Sequence, residues 1–180
     1  LMPIINSTEI ASFDQNFSMF CLSKTCIQHH ENTLNQNKKV VLATAKESWI
    51  NDYVVDFFLE LLINGNAVRW VHELTEPMTG DICFYLGFDK IVPKEVRKQF
   101  AFNLVVHESD LPQGRGWSPL SWQILDGKDE IYITLLDAAD DVDSGVIFLQ
   151  DKMIFDGSEL IQELRDSQAE KTFKLCHEFL

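Results

Sequence analysis

Three residue types that can move protons or hold a developing negative charge stand out for where they fall. His107 closes the apolar run Leu104-Val105-Val106 and opens into a polar segment, Glu108, Ser109 and Asp110, then Pro112, Gly114, Arg115 and Gly116. An imidazole titrates near neutral pH, so a histidine at a strand end suits proton transfer, although the same position also suits a hydrogen-bonded structural residue. Asp143 lies in the acidic turn "DDVDSG", which could return a carboxylate to orient or charge the imidazole. Asp137, Asp140 and Asp141 are its neighbours, and spacing alone does not separate them. Asn103 shares a strand face with Val105 and His107, so its amide could donate to an oxyanion or simply satisfy a strand end. Gly114 and Gly116 form neither a GxGxxG nor a Walker pattern; they let backbone approach a ligand closely, with Arg115 either bracing the loop or meeting an anion.

These residues need a scaffold. "VVLATA" predicts a strand, and "ESWINDYVVDFFLELLINGN" a helix stopped by Asn-Gly. "AVRWVHEL" and "DICFYLGF" predict two further strands, the second apolar enough for burial on both faces. "VPKEVRKQF" predicts a helix with Pro93 at its start and cations toward its end, as the helix dipole favours. "AFNLVVH" is then a strand. "SPLSWQILDGK" predicts a helix with Ser118 as N-cap and Pro119 at its first position. Strand "EIYITLLDA", the acidic turn and strand "VIFLQDKMIF" follow. A final amphipathic helix, "SELIQELRDSQAEKTFKLCHEFL", is N-capped by Ser158 and could pack on its own sheet or on a second subunit as a homodimer. Strands alternating with helices imply an α/β fold with a mostly parallel sheet and helices on both faces, where ligands sit beyond the carboxyl ends of strands. His107 falls there.

Residues 1–38 read as an amino-terminal extension whose role the pattern does not reveal, and residues 39–180 as the folded domain that carries His107. Within the extension Cys21, Cys26, His29 and His30 faintly suggest a metal site, but no second ligand pair follows. Cys83, in an apolar run, reads as a small core residue. The net charge of −13, from 28 acidic and 15 basic residues, opposes a phosphate backbone as partner. With no apolar run long enough to span a bilayer and no signal peptide evident, a cytosolic protein with reduced thiols is expected.

The run "HESDLPQGRGWSPLSW" closely resembles the folate-dependent formyltransferase family, whose loop reads His-x-Ser-Leu-Leu-Pro, then Arg-Gly, then Pro. "ITLLDAADDVDSGVI" resembles the family's signature of a Thr with an Asp-x-Gly beginning nine positions later, here Thr134, Asp143 and Gly145. "DICFYLGFDKIVPKEV" is similar to its strand, glycine loop and Ile/Leu-Pro segment. The three motifs stand in the right order and cover roughly residues 40–160.

The resemblance implies a Rossmann-like formyltransferase fold that moves a formyl group from 10-formyltetrahydrofolate to a primary amine. It assigns His107 and Asp143 to proton handling and an Asn to the oxyanion. The family places that Asn two residues before the His, where this chain has Val105; Asn103 lies a further 6.5 to 7 Å back, at roughly the usual strand rise. A bulge could bring Asn103 into register, Ser109 or a backbone amide could replace it, or turnover could be weakened; retained activity with Asn103 as the catalytic Asn beside His107 and Asp143 is expected. The folate pocket is implied between the loop carrying Phe88, Ile91 and Val92 and the turn at Asp140, with Arg115 or Lys90 meeting the glutamate tail. Trp117 and Trp122 could shape this neighbourhood. The acidic charge, and a length that leaves no room for the extra domain of methionyl-tRNA formyltransferases, point to a small-molecule acceptor such as a nucleotide-linked amino sugar. The alternatives are a methionyl-tRNA formyltransferase-like enzyme, a 10-formyltetrahydrofolate hydrolase and a weakened folate-binding module.

Overall fold

The computed structural model describes residues 37–75 and 77–180. Residues 1–36, including Cys21, Cys26, His29 and His30 and almost all of the expected extension, lie outside the described residues. The element order is β1 (Lys39–Ala43), α1 (Asn51–Ile63), β2 (Ala67–Val71), β3 (Gly80–Tyr85), α2 (Lys94–Arg97), β4 (Phe100–His107), α3 (Pro119–Leu125), β5 (Glu130–Asp137), β6 (Ile147–Ile154) and α4 (Ile161–Phe179).

The strands form one six-stranded sheet in the order β2-β1-β3-β4-β5-β6. β2, β1, β3 and β4 pair in parallel, whereas β5 runs antiparallel to β4 and β6 antiparallel to β5. This is the Rossmann-like α/β architecture, with a mixed edge. The short acidic β5–β6 connection accounts for the second of these pairings, because it leaves no room for the crossover helix that a parallel partner requires.

Alternating residues of the central strands feed two apolar layers. Val40, Leu42, Ile82, Phe84 and Leu104 pack with Val54, Phe57 and Leu61 of α1 and Leu175 and Cys176 of α4. Val41, Ala43, Cys83, Tyr85 and Phe100 point to the other face, where Val96 of α2 and Met78 lie against them. Each fully buried Leu or Phe contributes about 1.5–3 kcal/mol, so these layers hold the strand ends that carry the site. Cys83 is fully buried, and burial pushes its thiol up to about 12. No helix among the described residues is long and apolar enough to cross a membrane.

Two expected caps differ from the observed ones. Ser118 precedes α3 as expected, but its backbone is left-handed, at φ 53°, and its side chain makes no capping bond. Ser158 bonds Asp156 instead of capping α4; the helix begins at Ile161, where Glu163 accepts the Leu160 amide at 2.7 Å. Turn chemistry at Asp156–Ser158 thus outcompetes the serine's role as a helix cap.

Helix α4 packs on its own sheet, fastened to β6 through Asp151, which accepts from Lys174 at 2.8 Å and Lys171 at 3.2 Å. The Lys174 ammonium, above all, holds the Asp151 carboxyl down at about 2. That lies below the ordinary value of about 3.9, so the stabilisation is present above pH 4 and is lost as pH falls toward 2. For so partly exposed a cluster, Asp151→Asn should cost on the order of 0.5–1 kcal/mol at neutral pH. Urea titrations of the two proteins should show that gap closing between pH 4 and 2.

Candidate active site

His107 is the last residue of β4 and pairs with Thr134 of β5. Its side chain is 8% exposed, and both ring nitrogens face acceptors: Nε2 lies 2.9 Å from the Gly114 carbonyl and Nδ1 3.5 Å from Asp143 Oδ2. A neutral ring satisfies one of these acceptors, and a protonated ring satisfies both.

The loop after β4 is built to bring that carbonyl back. Thr134 Oγ1 donates to the Ser109 carbonyl at 2.7 Å, and Gln123 of α3 donates to the Glu108 carbonyl at 2.7 Å. Gly114 has φ 71°, and a Cβ there would meet the Ser109 Cβ at 3.0 Å, so both conformation and space require glycine. The Leu111–Pro112 peptide within this loop is cis.

The β5–β6 turn delivers the carboxylate. Gly145 lies against the Asp137 carbonyl so closely that a Cβ would fall 1.8 Å from its oxygen. Asp143 sits in the left-handed region at φ 51° and accepts the Gly116 amide at 3.0 Å. Ser118 and Asp143 are the described non-glycine residues with positive φ, and both line the same cavity. Residues held in this conformation tend to gather where function over-determines the backbone.

That cavity, about 360 Å³, opens at the carboxyl ends of β1, β3 and β4. It is lined by Val105 and His107, by Phe88, Ile91 and Val92 from the loop after β3, and by the segment from Leu136 to Asp143, which includes Asp140. His107, Asp143, Phe88, Ile91, Val92 and Asp140 are therefore brought together. Lys90 lines it as well. Arg115 is not: it lines a separate pocket with Ser109 and Trp122, because the loop turns it outward as the Gly114 carbonyl turns in. Trp117 borders both pockets.

Asn103 is absent from the cavity lining, and the bulge expected to carry it toward His107 is not formed in β4. β4 keeps one register with β3 and one with β5 along its length, and the irregularity in this part of the sheet falls instead at Leu135/Leu136, between β5 and β6. The Asn103 amide accepts from the Tyr85 hydroxyl at 2.9 Å and donates to the Arg97 carbonyl at 2.9 Å. Burial raises the Tyr85 hydroxyl, which keeps it a donor. Ser109 cannot readily replace the amide either, since its buried hydroxyl borders the other pocket.

Arg97 is a residue that sequence reasoning assigned only to the helix dipole. Its guanidinium donates to the Ala138 carbonyl at 2.7 Å and the Val92 carbonyl at 3.2 Å, and it pairs with Asp140, whose carboxyl it holds below the usual range. It thereby ties the two loops that wall the cavity. Glu108, Arg165 and Gln168 also line the cavity unforeseen. No local pattern could have found them, since α4 meets the β4 loop only in the folded chain.

The formyl transferase family model matches residues 18–179. The chain belongs to this family. It is 24% identical over 141 residues to a methionyl-tRNA formyltransferase from Finegoldia magna, covering 78% of this chain and 44% of that protein. The chain thus spans less than half the length of the curated relatives it matches. Among solved structures, HypX from Aquifex aeolicus has a TM-score of 0.63 at 18% identity, over 80% of this chain and 28% of that one. The formyltransferase PseJ from Anoxybacillus kamchatkensis, in complex with UDP-4,6-dideoxy-4-formamido-L-AltNAc and tetrahydrofolate, has a TM-score of 0.56 at 17% identity, over 78% and 74%. These likenesses establish a shared fold.

If Asn103 is a brace, Asn103→Ala should strand the buried Tyr85 hydroxyl and the Arg97 carbonyl. The expected cost is about 1–3 kcal/mol of stability. Thermal or urea unfolding measures it.

Proposed function

We propose that this formyl transferase domain moves a formyl group from 10-formyltetrahydrofolate to the primary amine of a small molecule, with a nucleotide-linked amino sugar as the acceptor class. The observation that carries this reading is the buried His107, held between the Gly114 carbonyl and Asp143 at the edge of a cavity large enough for a small ligand. The apolar wall of Phe88 and Val92 suits a flat pterin ring, and Lys90 on the same loop suits the glutamate carboxylates. The net charge of −13 favours a small acceptor over a phosphate-rich polymer.

The formyl donor supplies an activated carbonyl carbon. An amine nitrogen attacks it, the carbonyl oxygen takes up negative charge, and the bond from that carbon to the folate nitrogen breaks. The amine must lose a proton and the departing nitrogen must gain one. In this reading His107 carries that proton, and Asp143 holds the ring while it is charged. With Nε2 held on the Gly114 carbonyl, the protonated ring can turn its Nδ1–H, which lies a long 3.5 Å from Asp143, to the developing oxygen.

Val105 favours a second reading. It occupies the cavity where an amide two residues before the histidine would stand, and losing one oxyanion donor costs roughly 10²–10³ in turnover. A folate-binding module with slow transfer is therefore the alternative.

His107→Ala should lower formamide production by about 10²–10⁴ while tetrahydrofolate binding stays within a few-fold, and Asp143→Asn should show a smaller loss of the same kind. Calorimetry and a product assay with a UDP-linked amino sugar read both. Full rates in either variant would overturn the site assignment. Free formate released without amine dependence would indicate a hydrolase, and formylation of methionyl-tRNA but not of the sugar would move the acceptor class. Tetrahydrofolate binding by a wild type that makes no product would favour the binding module.

A further inference from the structure

A carboxylate with no part in the chemistry above stands one residue beyond His107 and lines the same cavity. Glu108 is partly buried and has no ion-pair partner among the described residues. Gln168 of α4 supplies the side-chain hydrogen bond that its carboxylate receives, through Nε2 to Oε1. The direction of that bond is imposed from behind. Arg165 can only donate, and its Nη1 gives to Gln168 Oε1 at 2.7 Å, which turns the Gln168 amide hydrogens toward Glu108. Arg165 is itself seated over the Trp49 ring, 4.5 Å from its centroid. Burial raises the Glu108 carboxyl above the usual carboxylate range, against the lowering effects of Gln168, His107 and Arg165.

Trp49, Glu108, Arg165 and Gln168 all line the cavity. Trp49 packs against the α1/α4 face of the sheet, whereas Phe88 and Val92 pack against the α2 face. The cavity lining therefore spans both faces of the sheet across the end of β4, and Glu108 stands in it without an ion pair among the described residues. A carboxylate taken partly out of water without a positive partner is costly, and a ligand that brings one relieves the cost.

We infer that Glu108, oriented by Gln168 and Arg165, docks the ammonium group of the formyl acceptor beside His107 and selects the amine substrate over its neutral formamide product. This rests on the transfer reading above. It also accounts for product release, because formylation removes the charge that Glu108 holds.

The test titrates UDP-4-amino-4,6-dideoxy-L-AltNAc and its 4-formamido counterpart into tetrahydrofolate-saturated wild type, Glu108→Gln and Glu108→Asp. The wild type should prefer the amine by about tenfold or more, Glu108→Gln should bind the two nearly equally, and Glu108→Asp should restore part of the preference. Tetrahydrofolate affinity should be the same in all three. A wild type without the preference, or a Glu108→Gln that keeps it, overturns the inference while leaving the transfer reading in place. Failure of the wild type to bind tetrahydrofolate overturns both.

Discussion

A buried imidazole with an acceptor at each nitrogen is the constraint around which the rest of this domain is arranged. His107 is 8% exposed, so its hydrogen-bonding groups must be met by protein. One acceptor is a carbonyl seven residues ahead and the other a carboxylate thirty-six residues ahead, and each must be brought back to the end of β4. The Gly114 turn does the first, and the Thr134 hydroxyl braces it through Ser109. The β5–β6 turn does the second, with Gly145 pressed on the Asp137 carbonyl and Asp143 held left-handed. The antiparallel pairing of β5 with β4 sets Thr134 opposite His107, so one strand fixes both acceptors relative to the ring.

Polar groups behind the cavity keep its walls in place. The Tyr85 hydroxyl meets the Asn103 amide, the amide meets the Arg97 backbone, and the Arg97 side chain reaches the Val92 and Ala138 carbonyls. Asn103 thus supports the site from behind. Glu108, Gln168, Arg165 and Trp49 form a comparable chain on the other sheet face, all four lining the cavity. The first network includes no free charge, whereas the second includes a carboxylate without an ion pair among the described residues.

The caps and the asparagine show where local reading reaches its limit. Ser118 and Ser158 each carry the expected residue type near a helix start, yet neither makes the capping bond, because a left-handed turn claims one and an Asx-type turn the other. Asn103 has the right chemistry and lies on the same strand face as His107. An unbroken register keeps it two residues short, and buried partners consume its amide.

The sequence by itself determined the strands and helices, whose apolar periodicity follows from local geometry, and the pairing of a strand-end histidine with an acidic turn, which motif spacing makes visible. It also marked Gly114 as a close-approach glycine, whereas a Cβ at Gly116 would meet nothing within 4 Å. Only the tertiary structure decided which faces of the cavity each side chain reaches: Arg115 turned away, Arg97 turned into a clamp, Asn103 placed behind the wall, and Glu108 joined to α4. Those outcomes depend on contacts between segments distant along the chain and on hydrogen bonds that each buried polar group must find, and neither is encoded in the spacing of neighbours.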